Sequence, residues 1–191
     1  DTYKAETMRK ALDVGVDIVN DIWALQQPGA EAVVAAHPRC GVCLMHMHRD
    51  PQTMQKAPMQ GDVLPAVADF LQQRAQALRL QGVASARIVL DYGIGFGKTV
   101  EQNFSLLARQ QDLLSLGYPL LAGWSRKSSL GAVLARDGVT PEPAQRQAAS
   151  VAAALLAVER GARIVRVHDV RETADALRVW RQLGHPAASV A

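Results

Sequence analysis

The octet Asp91-Tyr-Gly-Ile-Gly-Phe-Gly-Lys98 places a carboxylate, three glycines at alternate positions and a lysine at one strand-to-loop junction. The run that precedes it, Arg87-Ile-Val-Leu-Asp91, reads as a short buried strand. Glycine at this density can release backbone amides to a ligand, so one reading is a binding loop that carries both charge signs. The other reading is a tight strand-to-helix turn. Two phosphate-binding motifs are excluded by spacing. A P-loop would need glycine where Tyr92 stands, and a dinucleotide fingerprint would need glycine where Lys98 stands.

Four more strand-like segments end in groups able to do chemistry: Asn20 and Asp21; His46 and His48; Ser125, Arg126 and Lys127; Arg166, His168 and Asp169. Arg166 and His168, two apart on what reads as one strand, are expected to point the same way and to suit an anion such as a phosphate or carboxylate. In Ser125-Arg-Lys-Ser128 the serines are expected to open a helix whose amides seat an anion, with plain N-capping as the other reading. Asp1, Asn20 and Asp91 supply acceptors and an amide, the groups that read the donor edge of a flat heterocycle. An anion seat beside a heterocycle reader suggests a substrate that carries both. A different chemistry attaches to His46-Met-His48, since two histidines so spaced on a barrel strand can hold zinc in a metal-dependent hydrolase. Asp91 and His168 could complete such a set. His37 and His185 sit beside prolines, away from strand ends.

Short apolar strands alternating with amphipathic helices must position these groups. Strands are expected over residues 17–22, 42–47, 88–90, 118–123 and 163–168. Helices are expected over 7–14, 31–36, 62–81, 103–115 and 171–183, with an alanine-rich helix running to Arg160 and loops over 48–61 and 137–143. Strand followed by helix without hairpin signals means a parallel sheet covered on both faces, with ligands at the carboxyl ends of the strands. The fold class expected is α/β, a TIM (β/α)8 barrel of which about five units are present, in one domain over residues 1–191. A full barrel takes roughly 200 to 250 residues, so about three units are expected ahead of Asp1.

Composition sets the outer bounds. With 191 residues, 49% of them hydrophobic and 20% charged, the chain reads as globular. A net charge of +3 spread over scattered lysines and arginines carries no nucleic-acid footprint. No apolar stretch is long enough to span a bilayer and no leader is visible, so a soluble cytoplasmic protein is expected. Cys40 and Cys43 are the only cysteines and lack the second pair of a zinc site, so they read as two reduced thiols.

The chain resembles the dihydropteroate synthase family, the folate-pathway enzymes targeted by sulfonamides. The resemblance rests on Asp1-Thr-Tyr-Lys4, Val19-Asn-Asp-Ile22, Cys43-Leu-Met-His-Met47, the octet 91–98, Gly123-Trp-Ser-Arg-Lys-Ser128 and Arg166-Val-His-Asp-Val170, in the family's order. It implies a barrel that joins a dihydropterin pyrophosphate to p-aminobenzoate with release of pyrophosphate, and commonly a homodimer. Carried over by motif, Asp1, Asn20, Met45, Asp91, Lys127 and Arg166 bind the pterin. Phe96, Lys127 and Ser128 face p-aminobenzoate, while Arg166 and His168 hold the pyrophosphate. Asp91, Lys127 and Arg166 are the residues expected to act on the reacting atoms. The resemblance also implies Mg2+, associated with an asparagine that lies in a segment ahead of this one, so no metal ligand is expected within residues 1–191. Tyr92 departs from the proline usual in the family. A pterin-binding paralogue without catalysis is the alternative within the same resemblance. Related barrels that transfer a methyl group from methyl-tetrahydrofolate would not be expected to carry the Ser-Arg-Lys-Ser segment.

Overall fold

The computed structural model describes residues 1–50, 53–54 and 56–184. Five strands, β1 (Ile18–Asp21), β2 (Gly41–Met45), β3 (Ile88–Asp91), β4 (Leu120–Ala122) and β5 (Ala162–Val165), pair in parallel in chain order. The helices are α1 (Ala5–Asp13), α2 (Ala30–Ala36), α3 (Leu64–Leu80), α4 (Val100–Ala108), α5 (Ser128–Leu134), α6 (Gln147–Glu159) and α7 (Val170–Arg181). Each strand is followed by at least one helix, the arrangement of successive units of a (β/α)8 barrel. Among the described residues β1 and β5 are the two sheet edges, and their Ile18 and Ile164 are 55% and 37% exposed. No helix among the described residues is long and apolar enough to cross a membrane.

The period of two along each strand divides the sheet into two chemically different faces. Val42, Leu44, Ile88, Leu90 and Leu120 belong to the main hydrophobic core beneath the helices, together with Val67, Leu71 and Leu78 of α3. Each fully buried aliphatic side chain of this set contributes about 1.5–3 kcal/mol. In the paired register Asn20 stands beside Cys43, and Met45 beside Asp91. These four residues lie outside the main core cluster. Asn20 and Asp21, adjacent in sequence, are therefore separated in role. Asp21 is wholly buried, and its carboxylate accepts the N–H groups of Trp23 and Leu25 at 2.8 Å each, closing the turn after β1.

Among the elements next to the strand ends, α4, β5 and β2 have boundaries that differ from the sequence reading. The helix expected over 103–115 begins at Val100, because Thr99 and Gln102 form a reciprocal capping box, and it stops at Ala108. Residues Gln110–Leu116 continue as a tighter 3₁₀ segment. The strand expected over 163–168 ends at Val165. Arg166 still donates its N–H to the Ala122 carbonyl at 3.1 Å, and His168 lies past the ladder. The strand expected over 42–47 ends at Met45, with one further bond from the His46 N–H to the Asp91 carbonyl at 2.9 Å.

Candidate active site

Parallel pairing puts the carboxyl ends of all five strands on one side, and the glycine loop leaves β3 there. Gly93, Gly95 and Gly97 have φ of +69°, +82° and +73°, the left-handed region that side chains disfavour. Space sets a second demand. A Cβ on Gly93 would lie 1.8 Å from the His46 carbonyl oxygen, and one on Gly97 2.6 Å from His48 Cβ. The glycines thus let the end of β2 press against the loop. The expectation that they release amides to a ligand is corrected for two of the three. The Gly93 N–H donates to Asp91 Oδ1 at 2.7 Å, and the Gly95 N–H to Asn103 Oδ1 at 2.9 Å.

Lys98 is likewise turned inward. Only 4% exposed, its Nζ lies 2.9 Å from the Gly93 carbonyl, 3.3 Å from the Phe96 carbonyl and 3.0 Å from His46 Nδ1. Burial pushes its pKa down from 10.5 to about 7, with Asp91 opposing the fall. Burial, then the Lys98 charge, lowers His46 from 6.5 to about 3, so the imidazole is neutral and its Nδ1 accepts from Lys98. The His46 ring also stands edge-on to Phe70, with centroids 5.1 Å apart. His46 is in these respects a packed structural residue.

The zinc reading of His46-Met-His48 finds no gathered ligand set. Among the described residues no group of three or more His, Cys, Asp or Glu side chains could hold a metal ion. His48 Nε2 accepts from Arg49 Nε at 3.3 Å, and His37 Nδ1 accepts the Cys40 N–H at 2.9 Å. His185 lies outside the described residues. Cys40 and Cys43 are free, buried thiols, and burial beside Asp91 raises Cys43 well above the usual thiol range.

The His46 shift has a stability consequence of definite sign. The folded state refuses a proton that the unfolded chain accepts below about pH 6.5, so stability falls as pH drops through the window from 6.5 to about 3. Thermal melts of the wild type should lose stability across that window, and His46→Gln should show a shallower acid slope. Equal slopes in the two proteins would refute the assignment.

Around the strand ends the expected pterin residues come together. Asn20 Nδ2 donates to Asp1 Oδ1, and Asp1 Oδ2 meets Arg166 Nη1 at 3.3 Å, so one carboxylate links the end of β1 to the end of β5. Asn20 Oδ1 is buried and has no hydrogen-bond partner among the described residues. An unpaired buried carbonyl of this kind is costly unless a donor meets it. Asp91 is buried, and desolvation raises its pKa against the Gly93 N–H and the charges of Lys127, Arg166 and Lys98. Lys127 is lowered to about 8, chiefly by burial, with Asp91 opposing and Arg166 assisting. Its Nζ sits 4.5 Å over the Phe96 ring, a cation–π contact that joins the two loops.

Beside these groups lies a cavity of about 540 Å³, lined among others by Ser125, Arg126, Lys127, Arg166 and His168. No carboxylate contributes to this lining, so the cavity favours anions. Ser125 Oγ accepts the His168 N–H at 3.1 Å and lies 2.9 Å from His168 Nδ1. A hydroxyl that donates to Nδ1 leaves Nε2 as the protonated nitrogen, able to donate to an anion. Ser125 is therefore engaged with His168 and does not open the helix. The N-cap of α5 is Lys127, with no side-chain capping bond, and Ser128 is the exposed first helical residue.

Two further residues support the site without having been assigned a role in it. Arg126, at φ +60°, is held by a two-pronged bond to Asp169 at 2.8 and 3.3 Å, by its N–H to Ser150 Oγ at 2.9 Å and by Arg146 on its carbonyl at 3.0 Å. Its position within Ser-Arg-Lys-Ser was the available signal. Tyr92, which replaces the expected proline, is fully buried and bonds Gln110 Oε1 at 2.6 Å. Gln110 Nε2 in turn reaches the Ala157 and Arg160 carbonyls, tying the end of β3 to the end of α6. The start of the glycine loop is thereby anchored through the Tyr92 side chain.

Residues 1–168 match the model of a family described as pterin binding enzyme. The chain belongs to this family. It is 45% identical over 183 residues to the dihydropteroate synthase of Haemophilus influenzae, covering 95% of this chain and 64% of that protein. The chain thus spans less than two thirds of that relative's length. Among solved structures it superposes with a TM-score of 0.91 on Stenotrophomonas maltophilia dihydropteroate synthase with active-site-bound imidazole, at 48% identity, over 98% of this chain and 69% of that one. A Burkholderia cenocepacia dihydropteroate synthase complexed with 7,8-dihydropteroate gives 0.87 at 53% identity, over 96% of this chain and 66% of that one. These neighbours agree with the partial (β/α)8 barrel read from the strand order.

Proposed function

We propose that this pterin-binding chain serves as part of a dihydropteroate synthase, a transferase that joins a dihydropterin pyrophosphate to p-aminobenzoate and releases pyrophosphate. The observation that carries the reading is the buried carboxylate of Asp91, in electrostatic contact with Lys127 and Arg166, both of which line the anion-favouring cavity. Departure of pyrophosphate from the pterin methylene leaves a delocalised cation. The protein then needs to stabilise the leaving anion and hold the aniline nitrogen in line. Arg166 and His168 suit the anion, and Asp91 the developing positive charge. Asp1, Asn20 and Met45 surround the heterocycle, the unpaired Asn20 Oδ1 taking a ring or amine N–H. Phe96, Lys127 and Ser128 form the seat of p-aminobenzoate. No serine, histidine and aspartate relay is required for this displacement.

Magnesium enters this reading with the diphosphate. The ion takes oxygen ligands, commonly carboxylates and substrate phosphates, and the cationic lining of the cavity does not fit it directly. A homodimer is the accompanying expectation from the resemblance, and the cytoplasm the expectation from composition. The test is to mix the full gene product with dihydropterin pyrophosphate, p-aminobenzoate and magnesium and to measure pyrophosphate. Release that depends on p-aminobenzoate is expected. Release without it would mean a hydrolase, and pterin binding without release a silent paralogue.

A further inference from the structure

We infer that Asn103 is a positioning residue that fixes the width of the p-aminobenzoate seat by bracing its two walls against each other. The inference rests on the functional reading above, which places Phe96 on one wall and Ser128 on the other. One wall belongs to the loop after β3 and the other to the start of α5 after β4, and a third element has to set their separation. Asn103 on α4 is 1% exposed and spans the gap with one planar amide. Its Oδ1 accepts the N–H of Gly95, the residue before Phe96, at 2.9 Å. Its Nδ2 donates to Oγ of Ser129, the residue after Ser128, at 2.9 Å, and reaches the Lys98 carbonyl at 3.4 Å. The brace stands on a rigid base, because the Thr99 and Gln102 capping box fixes the start of α4 and Gln102 Nε2 also bonds the Met59 carbonyl at 2.8 Å.

The Gly95 loop lies close to Lys127. A Cβ on Gly95 would lie 3.3 Å from Lys127 Cδ, so a shift of the loop toward that side presses on the lysine that covers Phe96. By contrast, the recorded bonds of Asn103 reach none of Asp1, Asn20, Met45, Asp91 or Arg166. Loosening the brace should therefore weaken the grip on p-aminobenzoate while leaving Asp1, Asn20, Met45, Asp91 and Arg166 in place. A loss of binding shared equally by ground and transition states raises KM and spares kcat.

The experiment measures KM for each substrate and kcat for the full gene product carrying Asn103→Ala, Asn103→Asp or Ser129→Ala, with wild type alongside. For Asn103→Ala, KM for p-aminobenzoate should rise about tenfold, while kcat and KM for the pterin stay within about twofold. Asn103→Asp should recover part of the loss, because a carboxylate can accept from both the Gly95 N–H and the Ser129 hydroxyl. Ser129→Ala removes only the bond to α5 and keeps the fold testable if Asn103→Ala does not fold. It should shift the same KM by a smaller factor. Unchanged KM for p-aminobenzoate in Ser129→Ala, or equal changes for both substrates, would overturn the inference and leave the functional reading standing. A wild type without turnover would overturn both.

Discussion

Asp91→Asn should lower p-aminobenzoate-dependent turnover by about 10²–10³-fold, the scale on which removal of one preorganised charge-stabilising group is felt. The substitution is nearly isosteric, and Oδ1 can still accept the Gly93 N–H at 2.7 Å. Loop geometry is thus preserved and the change is electrostatic. The protein holds this carboxylate in place against a desolvation cost, with its pKa raised and three cations, Lys127, Arg166 and Lys98, set around it. In the proposed reaction positive charge spreads over the pterin as the diphosphate leaves, and a fixed anion in a buried site opposes no reorganisation. Steady-state rates at saturating substrates decide the matter. Near-normal turnover in Asp91→Asn would remove the electrostatic role.

The same variant carries a pH signature. Asp91 is the group that raises Lys127 against burial and the Arg166 charge, and the balance of the three leaves its pKa at about 8. Neutralising Asp91 must therefore lower Lys127 further, so the ammonium is lost at lower pH. If charged Lys127 holds substrate, the alkaline limb of kcat/KM near pH 8 should move toward neutrality in Asp91→Asn. A limb that stays in place or moves upward would contradict the coupling. Lys98, lowered to about 7 with Asp91 again opposing, shifts in the same direction.

Fold class and the set of strand endings were legible because both depend on local pattern. Apolar runs of strand length, separated by helical periodicity, left little besides a parallel α/β sheet, and the carboxyl ends followed from the direction of the strands. What stayed hidden depends on which atoms meet across the chain. Asn20 and Asp21 look equivalent in sequence, yet the pleat sends the first to the Asp1 and Arg166 cluster and the second into a turn. Lys98 reads as a ligand group until the carbonyls of Gly93 and Phe96 are seen to converge on it. Ser125 reads as a helix cap, but His168, 43 residues later, takes its hydroxyl. Arg166 and His168 do reach one cavity, though not as neighbours on one strand, since β5 ends before both.

Gly93→Ala should destabilise the fold by more than about 4 kcal/mol, a loss reserved for a few mechanisms of which a backbone clash in a packed region is one. The added Cβ would stand 1.8 Å from the His46 carbonyl oxygen and 3.0 Å from its carbon. To regain ordinary van der Waals separation the His46 backbone would have to retreat by roughly 1.5 Å or more. It cannot retreat alone, because its N–H is bonded to the Asp91 carbonyl at 2.9 Å and its ring to Lys98 at 3.0 Å. Left-handed backbone strain by itself accounts for only about 1–2 kcal/mol. Gly82→Ala separates the two contributions, since Gly82 has φ of +86° and nothing within 4 Å of its added Cβ. Urea unfolding should show a loss of about 1–2 kcal/mol for Gly82→Ala and a far larger one, or no folded protein, for Gly93→Ala. Similar losses in the two variants would mean that conformation alone selects glycine at position 93, and that the close approach of β2 to the loop has no part in it.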